Sequence, residues 1–152
     1  MTDPIAFTSS TPRFGLPLLF AAQAQKEFYV NEAHALIDAL CHTVVRGVAS
    51  SAQTDAVNGD CWIVGADGTD SFAGREDHLA CYQDGQWLFI EPTLGMTVFD
   101  LSLSQRRYFS QAWQVAPAIP TPVNGTVIDT EARDAISLLV SALAHAGILP
   151  TT

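Results

Sequence analysis

A chain of 152 residues suffices for one domain, or for a small domain with helical attachments, and a 48% hydrophobic content lets it bury a core. Only 15% of the residues are charged, which excludes a disordered chain and leaves much surface to uncharged groups, as in proteins buried against neighbours. Sixteen acidic residues against seven basic give a net charge of -9, and Arg106-Arg107 is the sole adjacent basic pair. Nucleic acid and anionic membrane surfaces are therefore not expected as partners.

Residues 1–17 read as an N-terminal arm. The stretch to Thr11 is polar and rich in Ser and Thr, hence loose unless a neighbour orders it. In Pro12-Arg13-Phe14-Gly15-Leu16-Pro17 the two prolines stiffen the backbone and Gly15 frees it between them. A stiff, apolar arm is suited to lie on something.

Residues 18–48 carry a helical pattern. Tyr29, Ala33, Leu36, Ile37, Leu40 and Val44 form one apolar stripe, and Glu27, Asn31, His34 and Asp38 fall on other faces. The β-branched pair Val44-Val45 weakens the end, and Gly47 is the expected stop.

Residues 53–115 read as a β-meander. Strands are expected at 61–64, 78–83, 86–90, 95–100 and 107–110, with Asp84-Gly85 as a two-residue hairpin turn and Phe72 as an anchored aromatic in a loop. About five short antiparallel strands leave exposed edges that must be capped or shared.

Residues 116–128 form a spacer with Pro117, Pro120 and Pro122, extended and semi-rigid. Residues 129–149 then form a helix, with Asp129 as N-cap and Gly147 just past the end. Ala132, Ile136, Leu139, Leu143 and Ala146 make an a/d seam of about two heptads, too short to hold an isolated coiled coil. The seam must pack on the first helix or meet copies of itself around an axis, and the spacer favours the second. The expected fold is α+β: a long N-terminal helix, a small antiparallel β-meander of about five strands, a Pro-rich spacer and a C-terminal oligomerising helix.

Signatures of chemistry are missing. No nucleophile elbow, phosphate loop, zinc-protease pair or calcium loop occurs, so no catalytic residue, metal or cofactor is expected, and the chain does not read as an enzyme. His34 and His42 lie eight residues apart on the first helix, about 12 Å by helical rise, too far to share a metal. His78 and His145 read as surface or capping residues. Cys41, Cys61 and Cys81 contain no CxxC and read as buried thiols of a chain made in the cytoplasm. The aromatics on the expected strands read as core and cross-strand pairs, with a glycan-contacting face at Trp87, Trp113 and Tyr108 as the competing reading.

Several motifs in order carry a resemblance: Pro12-Arg13-Phe14-Gly15-Leu16-Pro17, Gln23-Ala24-Gln25-Lys26-Glu27, Asn31-Glu32-Ala33, Asn58-Gly59-Asp60 before Trp62-Ile63-Val64-Gly65, Phe72-Ala73-Gly74-Arg75, Tyr82 to Phe89, and the closing Leu143-Ala144-His145-Ala146-Gly147. Together they resemble a domain-of-unknown-function family from tailed phages and gene transfer agents, over about residues 12–149. The resemblance implies a virion structural role: the base or adaptor of a head spike or tail fibre used in host attachment. It implies self-assembly into a pentamer or trimer and docking to capsid, tail or spike-fibre proteins, in a particle assembled in the host cytoplasm. Arg13, Phe14, Leu16, Pro17, Gln23, Gln25, Asn31 and Glu32 are the expected docking residues, and Ala132, Ile136, Leu139 and Leu143 the expected oligomerisation residues. A carbohydrate-binding module contacting host capsule polysaccharide, and a small cell-wall or capsule hydrolase, are the competing classes.

Overall fold

The computed structural model describes residues 9–21, 26–125 and 128–151. Among these residues two α-helices, α1 (Lys26–Leu40) and α2 (Thr130–His145), flank eight short strands: β1 (Val44–Val45), β2 (Val48–Ala49), β3 (Cys61–Val64), β4 (Leu79–Gln83), β5 (Gln86–Ile90), β6 (Thr97–Asp100), β7 (Gln105–Phe109) and β8 (Trp113–Val115). The strands form two four-stranded sheets, ordered β1-β6-β7-β8 and β2-β3-β4-β5. Both sheets are mixed, since β1 pairs with β6, and β2 with β3, in parallel.

This arrangement corrects the expected fold class. There is no single five-stranded meander and no helix running over 18–48. Residues 18–21 are not helical, residues 22–25 lie outside the described residues, and α1 ends at Leu40. Beyond it the chain turns at His42, whose φ is 47°, and becomes extended. Val44-Val45 is a strand and not a helix end because β-branched side chains fit a pleated surface better than a helical turn. Val45 is fully buried there. Gly47 does not stop a helix. With φ at 143°, it lets the extended chain pass from the first sheet at β1 to the second at β2. That crossing makes both sheets mixed, and its partners, Phe99 and Ile63, lie far along the chain.

Individual strands are better forecast than their assembly. β3 and β5 have the expected bounds. The β4–β5 hairpin turns at Asp84 and Gly85, both with positive φ (48° and 80°), as a type I′ turn requires.

The main core lies between the sheets and α1. Ala39, Val45, Cys61, Ile63, Leu79, Cys81, Ile90 and Val98 are buried in one cluster, with Leu36, Leu88, Met96 and Trp113 packed against it. On the far face of the second sheet Phe72 is fully buried with Val64 and Ala80. Its ring meets Trp87 and Phe89 edge-on at 5.1 and 5.6 Å. All four residues of β3 are buried because it has a core on each side.

The cysteines also depart from expectation. Cys61 and Cys81 sit directly opposite each other in β3 and β4, with Cα atoms 4.1 Å apart, and form a disulfide; Cys41 is free and exposed. No CxxC marks this bridge because register, not local spacing, brings the two thiols together.

Candidate interaction surfaces

The arm folds back on α1, and a buried carboxylate holds it. Asp38, only 2% exposed, accepts hydrogen bonds from the Thr11 hydroxyl (2.6 Å), the Phe14 backbone N–H (2.7 Å) and the Arg13 backbone N–H (3.1 Å). Such an arrangement offsets the loss of hydration of a buried charge. The Thr11 hydroxyl in turn accepts from the Leu16 N–H, and Gly15, at φ 63°, lets the arm turn.

Arg13 completes the junction. Its guanidinium donates to the carbonyls of Asp38 (2.7 Å), Ala39 (3.0 Å) and His42 (2.8 Å). The Thr43 hydroxyl donates to those of Ala39 and Leu40. The last carbonyls of a helix need partners, and a cation at this end also suits the helix dipole. A residue from 25 positions upstream therefore supplies what a C-terminal glycine often supplies. Farther along, Asn31 pairs with both the N–H and the carbonyl of Leu19, and His34 Nδ1 meets the Pro17 carbonyl at 2.9 Å.

The expected docking residues thus take different places. Arg13 and Asn31 use their side chains to bind the arm to its own helix. Phe14 is about half exposed, Leu16 and Pro17 lie on the arm's second leg, and Glu32 is exposed on α1. Gln23 and Gln25 lie outside the described residues. Sequence reasoning missed Thr11, which it placed in a loose segment, and Asp38, which it placed on an outer face. The polar stripe Asn31, His34 and Asp38 was the available signal: three side chains on one helical face can receive a backbone.

Covering the polar face of α1 leaves its apolar one exposed. Tyr29 (78%), Ile37 (48%) and Leu40 (40%) are exposed, as is Ala33 between them. Of the expected apolar stripe, Leu36 packs on the core. Val44 belongs to β1.

α2 has the same character. Asp129 caps it, accepting from the Ala132 N–H at 2.9 Å. None of its sixteen residues is buried. Ile136 and Leu139 are 42% and 60% exposed, Ala132 is exposed, and Leu143 is partly covered. The helix is nonetheless tied down at its C-terminal end. The buried Gln105 side chain donates to the carbonyls of Ala116 (2.7 Å) and Ile148 (2.9 Å), which bracket the spacer and the helix. The Arg106 N–H donates to the Gly147 carbonyl at 2.7 Å, and Leu149 is buried.

Trp87 and Trp113, two of the aromatics expected in a glycan face, line different depressions. Trp87 lies on β5 and lines a depression of about 250 Å³ between α1 and the β4–β5 hairpin, with Asn31, Glu32, Gln83, Asp84 and Gln86. Trp113 lines a different depression, beside Arg107 and Asp77, and donates its indole N–H to the Asp77 carbonyl at 2.8 Å. Tyr108 is half exposed on β7.

The ion pair between Arg107 and Asp100 is buried. Asp100, with no exposure, accepts from Arg107 Nε at 2.6 Å and from the Ser102 hydroxyl and N–H at 2.6 and 2.8 Å. Burial raises the carboxyl's pKa, but the Ser102 and Arg107 hydrogen bonds and the Arg107 charge together outweigh it and hold the pKa below 3.8. Among the described residues no group of His, Cys, Asp and Glu could hold a metal ion, and no helix is long and apolar enough to cross a membrane.

No curated protein and no solved structure matches this chain. A family profile matches residues 30–114, from within α1 to β8, and leaves out the arm and α2. That match spans more than half of the sequence, and the chain accordingly belongs to the family described as protein of unknown function DUF2793.

Proposed function

We propose that this chain is a structural component of a phage-like or gene-transfer-agent particle, a base or adaptor of a head spike or tail fibre that assembles with copies of itself and docks other particle proteins. The observation that carries the self-assembly is α2: sixteen residues, none buried, with Ile136, Leu138 and Leu139 open to solvent. A helix this short gains little stability alone, and contiguous exposed apolar surface marks contact with other chains. The particle assignment comes from the motif resemblance, and host attachment follows from that assignment. Light scattering of purified protein tests self-assembly: a closed oligomer is expected, and a monomer at high concentration overturns it. Immunolabelling of purified particles tests location, with label on spikes or fibres expected. Deleting residues 1–17 is expected to leave the sheets folded and to weaken incorporation; normal incorporation would remove the arm from the docking surface.

A second reading has its own observation. The depression lined by Trp87 also holds Asn31, Gln83 and Gln86 with Glu32 and Asp84, residues whose amides and carboxylates are chemistry that can hold a sugar. Trp87 also packs on Phe72 and Trp62, so its loss would disturb the fold. Gln86→Ala, at an exposed position, is the cleaner test on a glycan array.

A further inference from the structure

The two helices of one chain present apolar stripes of equal length that the other described residues leave exposed, save for the partly covered Leu143. On α1, Tyr29, Ala33, Ile37 and Leu40 are spaced four, four and three apart; on α2, Ala132, Ile136, Leu139 and Leu143 are spaced four, three and four apart. Both run over the same number of residues, about 16 Å of helix. Each stripe begins at a charge of opposite sign. Lys26 stands at the start of α1 and Glu131 at the start of α2, both exposed, and neither forms an ion pair with another described residue.

We propose that α2 of one copy lies parallel along the exposed stripe of α1 on a second copy, with Lys26 beside Glu131. This rests on the self-assembly reading above and specifies its contact. Parallel alignment sets Tyr29 against Ala132, Ala33 against Ile136 and Leu40 against Leu143, so that the large α1 residue meets the small α2 residue at one end and the reverse holds at the next layer. The alternative, α2 against α2 around an axis, would gather Glu131 and Asp134 of every copy together and leave the α1 stripe in water. An α1–α2 contact covers both stripes and uses a different surface on each partner, so two copies can exchange it reciprocally, and repetition gives a ring where the rotation closes. The Lys26–Glu131 pair contributes direction more than affinity.

The test uses the full chain with Cys41→Ser. Leu40→Cys and Leu143→Cys variants are prepared separately, mixed under conditions that exchange subunits, and treated with a short bismaleimide, which joins two thiols as thioethers. A covalent dimer is expected in the mixture and in neither variant alone. A dimer from Leu143→Cys alone places α2 on α2 and overturns the proposal, as does an intact oligomer that gives no product. A monomer by light scattering overturns the self-assembly reading itself, and the two failures are thereby separated. Lys26→Glu is expected to weaken assembly at least several-fold, and Glu131→Lys in the same chain to restore it. Failure of that rescue overturns the parallel direction.

Discussion

The Thr11 hydroxyl donates a 2.6 Å hydrogen bond to the Asp38 carboxylate across 27 residues of chain, and both groups are buried. The arm is thereby part of the fold, and its loss has an energetic consequence for α1. Asp38→Ala leaves the Thr11 hydroxyl and the Arg13 and Phe14 N–H groups without their acceptor. A loss of about 3 kcal/mol is expected, in the range for breaking a buried hydrogen-bonded charge. Urea unfolding measures it, and limited proteolysis should show cleavage near residue 13 in the variant first. A loss below about 0.5 kcal/mol would mean the arm is not held by this carboxylate.

Arg13→Lys keeps the charge but loses the planar fork that reaches three carbonyls. The expected cost is about 1 kcal/mol, with hydrogen exchange accelerating in the last turn of α1 and not in the sheets. Uniform acceleration over the whole domain would contradict a local capping role.

Gln105 holds both ends of the excursion formed by the spacer and α2. Gln105→Leu preserves approximate volume and removes both donors, leaving the Ala116 and Ile148 carbonyls unpaired. A destabilisation of about 2 kcal/mol is expected. The C-terminal segment around Leu149 should exchange its amides faster than β3 and β4. Unchanged exchange there would show that the docking of Gly147 and Leu149 does not depend on the clamp.

Asp100 makes stability depend on acid pH. Its folded pKa is lowered from 3.8, so the folded state binds its proton less readily than the unfolded chain. The stabilisation is therefore fully present above the unfolded value and declines as pH falls below it through the folded pKa. Asp100→Asn should flatten the acid limb of a stability–pH curve below about pH 4. An unaltered limb would assign acid sensitivity to other carboxylates.

Replacing Cys61 and Cys81 together by Ala removes a bridge that closes a loop of about 20 residues, and a loss of about 3 kcal/mol is expected. The same bridge forms in oxidising surroundings. Thiol counting by alkylation and mass spectrometry should find one reactive cysteine, Cys41, in oxidised protein and three after reduction and unfolding. Three reactive thiols in oxidised protein would refute the bridge.

Local patterns in the sequence determined the parts whose causes are local. Asp84-Gly85 turns β4 into β5 because positive φ is accessible to those residues, and Asp129 caps α2 because its carboxylate reaches an N–H three residues on. The apolar seam of α2 was legible for the same reason: helical spacing is a short-range property. Tertiary structure alone decided where α1 stops, which of its faces is covered, and how the strands divide into two sheets. Arg13 and Asp38 act across 25 residues, Val44 meets Phe99 across the whole β-region, and Cys61 meets Cys81 through register. Such contacts depend on how distant segments pack, and neither periodicity nor spacing encodes that choice within a window of a few turns.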